Sequence, residues 1–232
     1  EKVGIVGRTG AGKSSLTCLL FRLVECDERS GSSGRVTIDG VDIAGLGLHT
    51  LRRAMSMIPQ EPIVMSGSVR YNLDPFGGQR EERLLAALAS AGLSVPPDAA
   101  ADGFSAGQRQ LLTFARTLLQ ETRIVVMDEP TSSVDMQTDR LLQQKSREAF
   151  ADRTVITIAH RLETVRHCDR LAVLEAGELL ELGPPRELLG TPGSRLSQLM
   201  SAEGQERRCA TTSAVGRLAA RLCAPGHGHA GT

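Results

Sequence analysis

Eight residues near the start of the chain, Gly7-Arg8-Thr9-Gly10-Ala11-Gly12-Lys13-Ser14, have the spacing G-x-x-x-x-G-K-S. Such a run can hold a polyphosphate. Its glycines let consecutive backbone N–H groups turn inward toward phosphate oxygens, and a helix opening from the run adds the positive end of its dipole. Lys13 then reaches the β- and γ-phosphates, and the Ser14 hydroxyl becomes a ligand for Mg²⁺. At average residue usage a chance match in a chain of this length is on the order of 1%, so nucleotide binding outweighs a coincidental Gly-rich turn.

Two further groups could act on that nucleotide. Ile124-Val125-Val126-Met127-Asp128-Glu129 is an apolar run ending in two carboxylates, and open α/β sheets bind ligands at such strand ends. Asp128 would hold Mg²⁺, mostly through water, while Glu129 would orient and polarise an attacking water. Taken alone, two acids after a strand are more often a solvated turn; the phosphate loop upstream reverses that balance in favour of the catalytic reading. Ser105-Ala106-Gly107-Gln108 leads into a helical stretch. Ser105 is there either a simple N-cap or a hydroxyl that, with free N–H groups, meets a phosphate carried by another molecule. The residues alone leave both open.

The elements that must position these groups follow from periodicity. Residues 3–6 read as a buried parallel strand ahead of the loop, and 13–25 as a helix with Leu16, Leu19, Leu20 and Leu23 on one face. Strands are predicted at 35–39, 55–58, 123–127, 154–158 and 171–174. Helices are predicted at 49–53, 80–91, 107–120, 135–150, 161–167, 185–189 and 194–200. Strands separated by helical crossovers imply a mainly parallel sheet covered on both faces. The helical insert at about 61–122 reads as a second lobe, and 203–232, rich in Gly, Ala, Arg and His without periodicity, as a disordered tail.

Composition narrows the classes. Lys plus Arg is 27 and Asp plus Glu is 27, which argues against nucleic acid as a partner, and with no Trp and one Tyr a base-stacking platform has little to build on. The five cysteines, Cys18, Cys26, Cys168, Cys209 and Cys223, form no C-x-x-C pair and read as reduced thiols. No apolar run approaches the roughly 18 residues of a membrane span.

In order and spacing these motifs resemble the ATP-binding cassettes of ABC transporters over about residues 1–200. The residues that carry the resemblance are the phosphate loop with Ser15, Gln60, Ser105-Ala106-Gly107-Gln108, Asp128 to Asp135, and His160. Ser66 to Phe76 and Ile158 to Leu162 are similar to the second cassette of multidrug-resistance-associated (subfamily C) exporters. The resemblance implies an α/β fold of the P-loop NTPase (RecA-like) type, a mainly parallel sheet with a helical ABC-specific subdomain. It also implies an ATPase using Mg²⁺, with ATP, a second cassette and transmembrane domains as partners, on the cytoplasmic side of a membrane.

Among site residues the resemblance makes Gln60 a ligand to Mg²⁺ and water, His160 a γ-phosphate contact and Asp135 a dimer-interface residue. Ser105, Gly107 and Gln108 would then complete the ATP site of the opposite cassette. A cassette that sandwiches ATP with little turnover is the alternative. Two departures stand out: the 99–104 approach to Ser105 is shorter than the family's, and the aromatic that stacks on adenine is expected upstream of Glu1, Tyr71 lying in the wrong lobe to replace it.

Overall fold

The computed structural model describes residues 1–26, 34–128, 135–159 and 162–201. Two compact units divide the chain, Glu1–Pro185 and a second that starts at Arg186. In the first, six strands form one sheet in the order β4 (Met55–Ile58), β5 (Ile124–Asp128), β6 (Thr154–Ile158), β1 (Lys2–Val6), β7 (Arg170–Glu175) and β8 (Glu178–Gly183). All neighbours are parallel except the β7–β8 hairpin. β-branched residues dominate the central strands, and Ile5, Val6, Val125, Val126, Val155 and Ile158 are buried, as strands covered on both faces require. A separate two-stranded ribbon joins β2 (Thr37–Ile38) to β3 (Val41–Asp42), in place of the longer strand expected at 35–39.

Helix α1 (Lys13–Leu20) follows the phosphate loop, but it stops five residues before the end expected at residue 25. The physical cause is tertiary. From α2 (Leu48–Ala54) Arg52 donates to the carbonyls of Phe21 (3.0 Å) and Arg22 (3.1 Å), satisfying carbonyls at the helix end. Arg22, at φ 47°, donates to the carbonyls of Ile43 (3.1 Å) and Leu46 (2.7 Å).

Between β4 and β5 lie α3 (Val69–Leu73), α4 (Glu81–Ala91) and α5 (Ala106–Leu119). On α4 the buried positions Leu84, Ala87, Leu88 and Ala91 form the i, i+3, i+4, i+7 face, and the helix ends at Gly92 in the left-handed conformation. These helices share one hydrophobic cluster with Ile58, Val125, Met127 and Val155 of the sheet. α6 (Met136–Ala149) and α7 (Leu162–Val165) occupy the crossovers on either side of β6. Beyond Pro185 come α8 (Pro185–Gly190) and a helix at 195–201, the latter opened by the Ser194 hydroxyl, which accepts from the Ser197 N–H (3.1 Å). The expected tail at 203–232 lies outside the described residues, so its order stays an expectation. Cys18, Cys26 and Cys168 are free thiols.

Candidate nucleotide site

Parallel register brings the strand ends level. Ile58 pairs with Met127, Asp128 with Ile158, and Ile158 with Ile5. The loop after Val6, the segment after Ile58 and the end of β5 therefore emerge along one edge of the sheet. Glu129 and His160 lie outside the described residues; β5 and β6 end one and two residues before them.

The loop is built against the β7–β8 turn. A Cβ on Gly7 would lie 2.3 Å from the Leu174 carbonyl oxygen, so no other residue fits there without moving backbone. Ala176 and Gly177 form the hairpin turn with φ 50° and 84°, and the Gly177 N–H donates to the Ala11 carbonyl (3.1 Å). Gly12 takes φ 98° to launch α1, a left-handed conformation that glycine adopts without penalty. Arg8, Thr9, Gly10, Ser14 and Ser15 are exposed, whereas Ala11 and Lys13 are buried.

Lys13 folds back over the loop. Its ammonium donates to the carbonyls of Gly7 (2.7 Å) and Arg8 (3.1 Å). Burial lowers its pKa, and the negative charge of Asp128 works against that fall. The two side chains thus share one electrostatic environment at the sheet edge, although Asp128 ends a strand two positions away in the sheet. Gln60 is exposed, two residues past β4. Ser14, Gln60 and Asp128 offer a hydroxyl, an amide carbonyl and a carboxylate, an all-oxygen donor set suited to Mg²⁺ bound together with phosphates and water. Among the described residues no group of three or more His, Cys, Asp or Glu forms a metal centre by itself. The donor set fits an ion that arrives with a nucleotide.

Ser105 opens α5 in a reciprocal capping box. Its Oγ accepts from the Gln108 N–H (3.2 Å), and Gln108 Oε1 accepts from the Ser105 N–H (3.0 Å). The cap reading is therefore present in the fold, and it leaves the hydroxyl proton and the exposed helix start facing outward. Gly107 and Gln108 lie in the first turn of α5, which starts one residue before the 107–120 helix expected from the sequence. A Cβ on Gly107 would sit 3.1 Å from Thr138 Oγ1 and 3.2 Å from its Cγ2. Thr138 Oγ1 in turn donates to Asp135 Oδ2 (2.7 Å), and Asp135 Oδ1 caps α6 by accepting from Gln137 N (2.9 Å) and Thr138 N (3.0 Å). Those bonds, from Thr138 first, hold the Asp135 carboxyl below its ordinary pKa. The structure thus joins Ser105, Gly107, Gln108 and Asp135 into one patch.

Three residues that sequence reasoning passed over support this frame. Gln110, fully buried, donates to the Pro59 carbonyl (3.3 Å), tying α5 to the residue before Gln60. Arg116 donates to the carbonyls of Asn72 (2.7 Å) and Ile63 (3.1 Å). Asn72, fully buried, bonds both backbone groups of Met65. A Gln and an Arg amid apolar residues of a helix were the available signal, since buried polar groups need partners. The 99–104 loop is stapled as well: Asp102 accepts from the Ser66 hydroxyl (2.6 Å) and the Gly67 N–H (3.3 Å), which lower its pKa.

A glycine-rich loop joining a central parallel strand to a helix, with an acidic strand end on the same edge, defines a P-loop nucleoside triphosphatase. Comparison with known proteins refines this. The family profile described as "ABC transporter" matches residues 1–132. The human "ATP-binding cassette sub-family C member 2" is 48% identical over 204 residues, covering 83% of this chain and 13% of that protein. "Probable multidrug resistance-associated protein lethal(2)03659" of Drosophila melanogaster is 49% identical over 207 residues, covering 84% and 15%. A solved structure titled "Structure of a bacterial Atm1-family ABC exporter with ATP bound" superposes with a TM-score of 0.79 at 31% identity, over 88% of this chain and 37% of the other. The chain belongs to the ABC transporter family and is an ATP-binding cassette, the ATPase domain of that family, with subfamily C members among its relatives. It spans 13–15% of the length of these two curated relatives.

Proposed function

We propose that this chain binds Mg²⁺ and ATP on residues 7–15 and hydrolyses the ATP to drive export, as the second cassette of a multidrug-resistance-associated transporter. The observation that carries the reading is the shared sheet edge, where the phosphate loop and the Gln60 segment emerge level with Asp128, whose charge reaches Lys13. Residues 1–202 are the cassette, with about 61–122 its helical subdomain, and 203–232 a tail.

In this reading the loop amides of Gly7 to Ser15 cradle the phosphates, and Lys13 exchanges the Gly7 and Arg8 carbonyls for β- and γ-phosphate oxygens. Ser14, Gln60 and Asp128 hold the metal ion, which when bound neutralises charge on the phosphate oxygens. Glu129 orients and polarises the attacking water, and His160 contacts the γ-phosphate. Ser105, Gly107 and Gln108 present the start of α5 to the nucleotide of a second cassette, with Asp135 beside them at that interface. Transmembrane domains dock on the helical subdomain, where Ile63, Tyr71 and Phe76 expose apolar surface around the segment pinned by Asn72 and Arg116. The cassette faces the cytoplasm and has no nucleic-acid partner. Among the described residues no helix is long and apolar enough to cross a membrane, so the membrane attachment rests on those partner domains.

The experiment is Glu129→Gln in the full transporter. ATP turnover falls by roughly 10²-fold or more, the loss typical of a removed general base, while ATP still binds and holds the cassettes together. Turnover that is unchanged by the substitution refutes the catalytic assignment. Negligible turnover in the unaltered transporter, with ATP-driven cassette pairing intact, points instead to a regulatory cassette.

A further inference from the structure

Beneath α6, beside the first residue of β1, the structure forms a half-open cavity of about 190 Å³. None of its described lining residues belongs to the phosphate loop, the Gln60 segment or the start of α5. Its floor is apolar, formed by Met127, Phe150 and Val155. Ser146 also lines it, and that residue is 7% exposed with a hydroxyl that has no hydrogen-bond partner. A buried hydroxyl without a partner is costly, and a ligand that bonds it relieves the cost. The volume is several times the roughly 30 Å³ of one water, yet below the range of pockets for drug-sized ligands. It suits a single ring or a short chain.

Charge decides the class. The ionisable residues of the described lining are Lys2, Arg147, His167 and Cys168, with no carboxylate among them. The Lys2 ammonium is held in place by the carbonyls of Phe150 (2.8 Å), Ala151 (3.0 Å) and Arg153, so it contributes a fixed positive field. Asp169, the neighbouring carboxylate, is engaged by the Lys2 backbone N–H (2.7 Å). Burial, and after it the negative charge of Asp169, push the Cys168 thiol up to about 11 against the opposing charge of Lys2, which keeps that wall neutral.

We propose that this cavity is a second ligand site, separate from the nucleotide, that takes a small organic carboxylate with an apolar body. The body packs on Phe150 and Val155, the carboxylate faces Arg147 and Lys2, and the Ser146 hydroxyl, turned from its buried position toward the cavity, donates to one of its oxygens. The site does not depend on the reading of the ATPase machinery.

Benzoate is the probe, with benzamide as its neutral counterpart, titrated into the 232-residue chain while thermal unfolding and the Met127 methyl resonance are followed. Benzoate stabilises the chain saturably, with a dissociation constant of about 1 mM or below for so small a ligand, and shifts the Met127 methyl; benzamide is at least several-fold weaker. Ser146→Leu fills the cavity and abolishes both responses. Ser146→Ala, which keeps the space and removes the hydroxyl, weakens binding several-fold and serves if leucine is not accommodated. Absence of saturable benzoate binding, an unshifted Met127 methyl, equal binding of benzamide, or unaltered binding in the Ser146 variants would each overturn the assignment.

Discussion

Gly107→Ala tests the contact between the start of α5 and the start of α6. The added Cβ would lie 3.1 Å from Thr138 Oγ1 and 3.2 Å from Cγ2, tighter than the roughly 3.5–4.0 Å optimum for nonbonded heavy atoms. Thr138 cannot simply rotate away, because its χ1 is restricted and its Oγ1 is bonded to Asp135 Oδ2 at 2.7 Å. Overpacking of this kind costs about 1–3 kcal/mol, and alanine returns up to about 1 kcal/mol of helix propensity. The net is a loss of about 0–3 kcal/mol. Pairing it with Thr138→Ala relieves the clash, so the double-mutant cycle shows a coupling energy of about 1–2 kcal/mol. Denaturant unfolding of the four variants measures that energy. In the full transporter, ATP-driven cassette pairing weakens in Gly107→Ala and recovers in the double variant. Additivity within about 0.5 kcal/mol would refute the argument that Gly107 is needed for its closeness to Thr138.

Lys13→Met does not lower the thermal midpoint, since it removes an ammonium whose burial disfavours its charge, but it abolishes the stabilisation that ATP confers; unfolding scans with and without ATP check both halves. Asn72→Ala destabilises the fold by about 3 kcal/mol, because it orphans both backbone groups of Met65 and opens a void; urea unfolding reads the loss. Cys168 has a folded pKa raised from the ordinary 9.0 to about 11, so its contribution to stability is complete below pH 9 and disappears as pH rises toward 11. Cys168→Ala therefore loses less stability than the parent between pH 9 and 11, as measured by thermal scans across that interval.

The strands that carry the nucleotide edge were legible because 123–127 and 154–158 are runs rich in β-branched residues, while 55–58 is a short segment stopped by Pro59: 55–58 and 154–158 match β4 and β6, and 123–127 matches β5 within one residue at each end. β8 was not foreseen. Its Glu-Leu-Leu-Glu-Leu-Gly sequence lacks strict alternation, and Leu179, Leu180 and Leu182 are half-exposed on an edge strand, so pairing with β7 supplies what pattern does not. α3 was likewise missed, being five residues long and dependent on the Ser68 cap and the buried Asn72. The phosphate loop, Asp128 and Ser105 could be read from motif and position. The Gly107–Thr138–Asp135 patch could not, since it joins residues about 30 positions apart through a contact that only packing reveals.

The position of β1 in the sheet bears on how the protein comes to be made. Lys2–Val6 is synthesised well before both of its partners, β6 and β7, with which it pairs across more than 150 residues. At about 5–20 residues per second of translation, the first strand waits roughly 8–30 seconds for either neighbour. Contacts of such sequence separation also close slowly after release. During that interval the Val3-Gly4-Ile5-Val6 segment is an unpaired, aggregation-prone strand on the nascent chain. A chaperone that engages this segment as it emerges would therefore raise the yield of folded cassette more than one that acts on the finished chain.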